Sequence, residues 1–283
     1  MGVPEVCEEI KEMQEIQLEE LKQIELGIML EFDEICQKLG LRYSLGGGTL
    51  LGAIRHKGFI PWDDDVDVML PRPDYDKLIR YSKKHELPFQ LISYETSANY
   101  SNPFAIAVRR ETILHEDEIN HNEDVGIHID IFPLDGLADT REEALKVYNA
   151  TRFDRELITA CQWKKFFRSK THSVIYEPIR FAFFALSRFH NVKKLIRKVD
   201  QYNRKHPFDN YEYVACVCGD YRAKEIMKLS EMNSFLDVTF EGHTFKAISG
   251  YDQYLKQHYG DYMQLPPKEK QVSHHLFKAY KLD

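Results

Sequence analysis

Four aspartates fall within five residues, at positions 63, 64, 65 and 67, in a stretch that otherwise alternates apolar and polar side chains. Aspartate is a poor strand residue, yet the alternation from Asp65 to Leu70 predicts a strand that is ended by Pro71. On a strand, the carboxylates of Asp65 and Asp67 would share one face, about 6.5–7 Å apart. Carboxylates at that spacing can hold one or two Mg²⁺ ions and would repel one another without a cation. The pattern predicts a metal site, with a solvated acidic turn as the alternative.

A glycine-rich turn, Gly46-Gly47-Gly48-Thr49, follows a short predicted strand over 41–45 and opens an apolar helix. Glycine lets the backbone approach a ligand closely, and a helix N-terminus offers N–H groups to a phosphate. The turn has neither a P-loop nor a dinucleotide-binding pattern, and on its own it could be a purely structural turn. Together with the aspartates downstream, it predicts phosphate contacts at Gly47, Gly48 and Thr49.

Three cationic or titratable residues, Arg55, His56 and Lys57, separate the turn from the aspartates. A cation beside a diphosphate neutralises the charge that develops during group transfer. Arg55 is the preferred phosphate contact, while surface roles are the alternative for His56 and Lys57.

A third carboxylate is predicted at Asp130, in the apolar strand pattern Ile127–Phe132. A buried aspartate without a partner would be costly, so Asp130 makes sense as a third metal ligand or as the base that acts on an attacking hydroxyl. His128, two residues earlier, lies on the same face of the predicted strand as Asp130. Asp135 precedes Gly136 and is interpreted as a turn residue.

Composition narrows the class of protein. The 283 residues are 43% apolar and carry a net charge of −7, which predicts a globular chain and argues against a nucleic-acid-coating protein. The five cysteines are odd in number and irregular in spacing, and Cys216-Val217-Cys218 fits a buried strand better than a zinc site. Without a run of 18 apolar residues or an apolar N-terminal segment, we expect a cytoplasmic protein.

Residues 161–205 form a strongly basic segment, with twelve Lys or Arg and two acids, Glu177 and Asp200. The same stretch is rich in Phe, Ile and Trp. Basic residues interleaved with aromatic ones are typical of an interfacial helix on an anionic membrane; an ordinary helical hairpin with a solvated basic face is an equal alternative. The membrane hypothesis predicts that charge reversal at four positions removes liposome binding: Lys193, Lys194, Arg197 and Lys198.

The remaining pattern predicts a small mixed sheet flanked by helices, an α+β fold. Apolar residues three or four apart predict a long helix over 5–39 that stops at Gly40, and Asp74 is expected to cap a second helix up to about His85. The other predicted elements are strands at 89–94, 104–109 and 127–132, helices through 141–205, a hairpin at 238–245 and a helix at 250–259. We therefore predict that the chain divides into three regions. They are a catalytic core with the N-terminal helix (1–140), a basic helical insertion (141–205) and a C-terminal segment that completes the site (206–283).

Three blocks of the sequence resemble the LicD family. They are GGGTLLGAIRHKGFIPWDDDVDVM at 46–69, IDIFPLDG at 129–136 and YGDYMQLPP at 259–267. The resemblance implies a nucleotidyltransferase-like fold and the transfer of phosphocholine, or a related phospho-alcohol, from a CDP-linked donor to a sugar hydroxyl of a surface glycan. The fukutin-related glycan phosphotransferases share the P-W-D-x-D-x-D segment, which adds Asp63 to the metal ligands and puts Asp64 on a variable position.

On this resemblance, we expect the diphosphate of CDP-choline to lie across Gly47, Gly48, Thr49 and Arg55. Mg²⁺ or Mn²⁺ would sit on Asp65, Asp67 and Asp130, and CMP would leave. An aromatic box would hold the quaternary ammonium, with Trp62, Tyr259 and Tyr262 as candidates whose alternative is core packing. His274 and His275 could contact substrate. A lipid-linked glycan acceptor would place the chain at the inner face of the cell membrane.

Three other functions stay open. CDP-ribitol or CDP-glycerol would use the same acids, and a nucleotidyltransferase that adds a nucleoside monophosphate would share the fold. A non-catalytic scaffold is disfavoured because it has no need of Asp65, Asp67 and Asp130.

Overall fold

The computed structural model describes residues 13–116, 125–169, 173–272 and 277–282. The helices in these ranges are α1 (Leu18–Leu39), α2 (Gly47–Arg55), α3 (Arg72–Ser82), α4 (Arg141–Ala150), α5 (Arg152–Gln162), α6 (Glu177–Ser187), α7 (Val192–Asn203), α8 (Leu229–Met232) and α9 (Tyr251–Tyr259). The strands are β1 (Glu15–Ile16), β2 (Ser44–Leu45), β3 (Asp67–Pro71), β4 (Gln90–Ile92), β5 (Ala105–Val108), β6 (Thr112–Glu116), β7 (His128–Ala138), β8 (Tyr213–Ala215), β9 (Met227–Lys228), β10 (Phe235–Phe240), β11 (His243–Ile248) and β12 (Phe277–Lys281).

The N-terminal helix α1 buries an apolar stripe that includes Leu21, Ile28 and Phe32. It ends as predicted at Gly40, whose φ of +59° is the left-handed conformation that glycine adopts without strain. The predicted start was wrong for the described residues: the helix begins at Leu18, because residues 15 and 16 pair antiparallel with β12 instead. The rest of the predicted helix, up to residue 12, lies outside the described residues.

A mixed sheet with the order β2-β3-β7-β5-β4 forms the centre of the molecule and confirms the α+β prediction. β3 and β7 are parallel neighbours, and the other pairs along this path are antiparallel. β8 extends the sheet from the C-terminal half of β7, and β9 pairs with β8. Residues that precede and follow the helical segment 141–205 therefore share one sheet. The predicted region boundaries at 140 and 205 stay predictions.

Two local predictions near this sheet were wrong. Helix α3 starts at Arg72 rather than at a cap by Asp74, whose carboxylate instead accepts a hydrogen bond from Nε of Arg42 at 2.7 Å. Asp135 is not in a turn: β7 continues through it to Ala138, and its buried carboxylate binds both Nε and Nη2 of Arg72 at 2.7 Å. The long-range partner, Arg72, allows an aspartate to stay in a buried strand.

One large core joins α1, the central sheet and the C-terminal hairpin β10–β11 with α9; it includes Phe32, Val68, Ile131, Phe245 and Leu255. The hairpin and the helix after it confirm the predictions for 238–245 and 250–259. The described part of 141–205 is mostly helical, as predicted. Helices α5 and α7 pack around a separate cluster with Leu157, Ile158 and Ile196. In the described ranges, none of the helices is long and apolar enough to cross a membrane.

Candidate active site

The glycine turn lies directly against the acidic segment. Gly46 donates its N–H to the carbonyl of Asp67 at 2.9 Å, and Gly47 begins α2 with a φ of +45°. A Cβ on Gly47 would collide with Oδ2 of Asp67, and one on Gly48 would lie 2.6 Å from Oδ2 of Asp63. Only glycine therefore lets this backbone approach the two carboxylates so closely.

Thr49 ties the turn to the acidic strand. Its hydroxyl is buried and accepts a hydrogen bond from the backbone N–H of Asp67 at 2.8 Å. The N–H of Gly47 donates to the phenol oxygen of Tyr254 on α9 at 3.2 Å. Sequence reasoning did not single out Tyr254, which buttresses the turn from the C-terminal segment.

Parallel pairing of β3 with β7 sets Asp67 opposite Asp130. The N–H of Asp130 donates to the carbonyl of Val66 at 2.8 Å, which fixes this register. The strand begins at Asp67, two residues later than predicted, so Asp65 lies in the extended segment that leads into it. Burial, followed by the charges of Asp65, Asp130 and Asp63, raises the pKa of Asp67 well above its ordinary value. The structure thus brings together acids that the sequence separates by more than 60 residues.

A further carboxylate, Glu25 on α1, joins this acidic group. Its side chain is 3% exposed, and its Oε2 has no hydrogen-bond partner among the described residues. Burial, and then the charges of Asp65, Asp64, Asp63 and Asp130, raise the pKa of Glu25 well above the ordinary value. The sequence held a signal that was missed, because Glu25 interrupts the apolar face of α1, four residues after Leu21.

Helix α1 also anchors the loop before the aspartates. The Nζ of the buried Lys22 donates to the carbonyls of Ile60 at 3.3 Å and Pro61 at 3.1 Å. Lys22 lies one turn before Glu25, so one face of α1 contacts both the loop and the acidic group.

Arg55 is the last residue of α2 and His56 follows it, at the opposite end of the helix from the glycine turn. Nη1 of Arg55 donates to the carbonyl of Tyr262 at 2.8 Å, and its Nε donates to Nε2 of His56 at 2.8 Å. Burial and the neighbouring Arg55 lower the pKa of His56, which favours the neutral ring. Lys57 is exposed and adopts a φ of 62°.

The three aromatic candidates occupy different surroundings. Tyr259 is half-buried and packs edge-on against Tyr221, with 5.3 Å between ring centroids. Burial, then the neighbouring Tyr221 and Tyr254, and finally the charge of Asp67 raise the pKa of Tyr259. Tyr262 is buried and donates its hydroxyl to Asp252 at 2.9 Å. Trp62 is half-buried against the core, with its ring edge-on to His56 at 6.3 Å.

Tyr221 is a residue that sequence reasoning missed, because no local motif marks it. His274 and His275 lie outside the described residues. Cys216 and Cys218, whose sulfurs are 3.8 Å apart, are free thiols. The strand predicted through them was wrong at this point, because β8 ends at Ala215 and the two cysteines lie in the turn that follows.

The donor set of the acidic group fits a hard divalent cation, because it consists of carboxylates. The buried Oε2 of Glu25 has no hydrogen-bond partner among the described residues, and a carboxylate oxygen of this kind could serve such a cation as a ligand. In the part of the chain that the structure describes, no three His, Cys, Asp or Glu side chains already surround one point closely enough to hold an ion. The metal site at Asp63, Asp65, Asp67 and Asp130 stays a prediction.

Comparison with known proteins connects this geometry to a family. Residues 40–171 match the family model described as LicD/FKTN/FKRP, nucleotidyltransferase domain. The lipopolysaccharide cholinephosphotransferase LicD of Haemophilus influenzae is 32% identical over 272 residues, which cover 95% of this chain and 99% of the relative. The human ribitol 5-phosphate transferase FKRP is 56% identical over 34 residues, or 12% of this chain and 7% of the relative.

The match to the Haemophilus protein extends over almost the whole of both chains, so it includes the glycine turn, the aspartates and the C-terminal segment. It confirms the predicted enzyme class, a phosphotransferase. With a nucleotidyltransferase domain model over its site and a relative of nearly identical extent, this chain belongs to the LicD family.

Proposed function

We propose that this enzyme transfers phosphocholine from CDP-choline to a sugar hydroxyl of a cell-surface glycan precursor and releases CMP. The observation that carries the proposal is the close approach of the Gly47–Gly48 backbone to Asp67 and Asp63, where a Cβ on either glycine would collide with a carboxylate. A turn without side chains, at the start of a helix and beside an acidic group, supports a phosphate site. The full-length similarity to a cholinephosphotransferase supports the choice of alcohol.

In the proposed complex, the donor diphosphate lies across Gly47, Gly48 and Thr49, with Arg55 and the neighbouring His56 and Lys57 on its far side. Asp65, Asp67 and Asp130, with Asp63, would hold Mg²⁺ or Mn²⁺, which neutralises phosphate charge when bound. Because Gly47 and Gly48 have no side chains, nothing but backbone would separate the phosphate from these acids. Positioning of the two reactants then contributes a large part of the rate.

The reaction breaks the bond between the choline phosphorus and the oxygen that leaves with CMP. It forms a bond between that phosphorus and the sugar oxygen, and the hydroxyl proton goes to a base. Asp130 would take this role if Asp63, Asp65 and Asp67 hold the metal without it; its Oδ1 lies 3.4 Å from Nε2 of His128 on the same face of β7. His128 in turn is oriented through Nδ1, 2.8 Å from the carbonyl of Gly126.

The choline group would lie against Tyr259 and its perpendicular neighbour Tyr221, since two ring faces at 75° form two walls of an aromatic box. Trp62 and Tyr262 are the other candidates. Tyr262 contributes mainly through its backbone carbonyl, which orients Arg55, because its own phenol is bound to Asp252.

We further propose that the acceptor is a lipid-linked oligosaccharide of lipopolysaccharide, teichoic acid or capsule type. The similarity to a lipopolysaccharide-modifying enzyme supports a glycan acceptor. A lipid-linked acceptor would place this chain in the cytoplasm, peripherally at the inner face of the cell membrane.

A second candidate is the transfer of ribitol phosphate or glycerol phosphate from the corresponding CDP donor. The specific observation that favours it is the 56% identity over 34 residues with a ribitol 5-phosphate transferase. The same acids would serve either donor, so a donor panel decides between them. Transfer of a nucleoside monophosphate from CTP is the third outcome to test.

The test is CMP release from CDP-choline, CDP-ribitol, CDP-glycerol and CTP, measured by mass spectrometry with a lipid-linked glycan extract as acceptor. We expect CMP from CDP-choline, loss of activity in EDTA, and at least a ~100-fold loss in Asp65→Asn, since even residues behind metal ligands cost 10–100-fold when changed. Asp64→Asn is the matched control in the same segment. This variant should bind Mg²⁺ as tightly as the wild type does, which calorimetry measures. Pyrophosphate from CTP without CMP from any CDP-alcohol would refute phosphocholine transfer.

A further inference from the structure

An exposed apolar ridge lies on the helical segment, far in sequence from the acidic group. Seven of the fourteen large apolar residues that are exposed in the described ranges fall between positions 174 and 189. We define the ridge by Ile175, Ile179, Leu186 and Phe189; Ile175 is 76% exposed and Phe189 is 86% exposed. A cluster of exposed apolar side chains on a protein surface marks an interaction site.

The ridge faces outward because α6 is held from its other side. The guanidinium of Arg180 lies 4.8 Å from the Trp163 ring and 5.3 Å from the Phe167 ring, and it pairs with Glu177 at 2.9 Å. Phe181 packs edge-on against Phe166, with 5.2 Å between centroids.

Helical periodicity completes the arrangement. Ile179 and Leu186 are seven residues apart, which puts them on the same face of α6. The packed rings thus fix the helix, and its apolar stripe remains on the surface.

The ridge belongs to a basic segment, since residues 161–205 hold twelve Lys or Arg and two acids. The structure corrects the choice of cations made from the sequence alone. Nζ of Lys193 donates to the carbonyls of Ser97 and Ala98 at 2.6 and 2.8 Å, and Lys198 pairs with Asp154 at 2.8 Å. Reversing the charge of these two lysines would disturb the fold.

Other cations of this segment have exposed side chains and are better suited to a lipid surface. They are Lys165 and Arg168 before the ridge, and Lys194 and Arg197 on α7.

We propose that the apolar ridge inserts into the headgroup region of an anionic membrane, with the exposed cations of 161–205 contacting the lipid phosphates. An apolar stripe flanked by Lys and Arg is the combination that binds such a surface. A second copy of this chain is disfavoured as the occupant, because it would bring two segments of charge +10 together. The inference does not depend on which donor the enzyme uses.

The experiment is flotation of the full chain with vesicles, without any substrate. One set of vesicles is phosphatidylcholine alone, and in the other about a third of the lipid is phosphatidylglycerol. We expect binding to the anionic vesicles that weakens as salt is raised. The double variant Ile175→Ser/Phe189→Ser should bind about tenfold or more weakly, because two large apolar side chains no longer leave water.

Leu18→Ser/Leu145→Ser is the matched control, since both leucines are exposed and lie outside the segment. It should bind as the wild type does, and circular dichroism should show that both double variants are folded. Lys165→Glu/Arg168→Glu should reduce the binding and its dependence on salt.

Three results would overturn the proposal. They are failure of the wild type to bind anionic vesicles, equal binding by the ridge variant, and self-association of the wild type in light scattering that the ridge variant loses. CMP release with a water-soluble glycan acceptor should be the same in the wild type and the ridge variant. That readout separates failure of the membrane proposal from failure of the proposed function.

Discussion

Glu25 is a buried carboxyl group beside four aspartates, and its protonation couples the site to the stability of the fold. Its pKa is raised well above the ordinary value in the folded chain, so between the unfolded and folded pKa values the folded state holds a proton that the unfolded state releases. Stability attributable to this group is therefore greatest at low pH and falls as the pH rises through the interval between the unfolded and folded pKa values.

We expect Glu25→Gln to raise the free energy of unfolding at pH 7, because the amide needs no proton to stay neutral. Each pH unit within that interval corresponds to about 1.4 kcal/mol, so the gain should grow as the pH rises above the ordinary pKa of glutamate. Thermal unfolding in EDTA over this pH range measures it. Glu34→Gln, an exposed change on the same helix, is the control and should have no effect. A loss of stability in Glu25→Gln at pH 7 would contradict the account.

At the level of elements, the start of α2 can lie close to the acidic segment because two consecutive glycines leave room for the carboxylates. The two positions differ in a useful way: Gly47 has a positive φ, whereas Gly48 does not. A side chain at Gly47 is therefore both strained and in collision with Asp67, while one at Gly48 meets Asp63 without backbone strain.

We predict that Gly47→Ala lowers both stability, by about 1–2 kcal/mol, and CMP release, by more than about tenfold. Gly48→Ala should lower CMP release with a smaller loss of stability. Gly242→Ala is the control for strain alone, since Gly242 has a φ of +77° and open space around its Cβ position. Thermal unfolding and CMP release, measured side by side, test the three variants. Full activity in Gly47→Ala would remove the turn from the donor site.

Across the whole molecule, a buried ionic network connects the sheet to the helical segment. Arg72 at the start of α3 binds Asp135 of β7 at 2.7 Å and Asp200 of α7 at 3.0 Å. Asp200 also accepts hydrogen bonds from Tyr94 and Arg204, each at 2.5 Å. The network thus fixes α7, and with it the segment that bears the ridge, against the sheet that bears the site.

Removing Arg72 would leave two buried carboxylates without their shared cation. We expect Arg72→Ala to lower the free energy of unfolding by about 3–5 kcal/mol, the usual cost of removing one partner of a buried ion pair. Urea unfolding measures this loss. Lys146→Ala, which breaks an exposed pair with Glu142, should cost less than about 0.5 kcal/mol. Equal effects of the two variants would show that the network does not stabilise the fold.

The residues of the candidate site could be selected from the sequence because their signals are local. The alternation after Asp65, the glycines at 46–48 and the aspartate in the apolar run at 127–132 each follow from strand periodicity or turn conformation within a few residues. The hairpin and the helices of 141–205 were predictable for the same reason. The start of α1 and the surroundings of Asp135 were not, because β12 and Arg72 contact them from distant parts of the chain.

The sequence by itself determined which acids, glycines and cations are available to the candidate site, since side-chain type and spacing are set by it alone. Only the tertiary structure decided that Asp67 faces Asp130, that Glu25 joins them, and that Tyr221 stands against Tyr259. It also decided which apolar residues of 174–189 stay exposed and which lysines are bound to the fold. These outcomes depend on strand register and on packing between distant segments, where no local pattern constrains the chain.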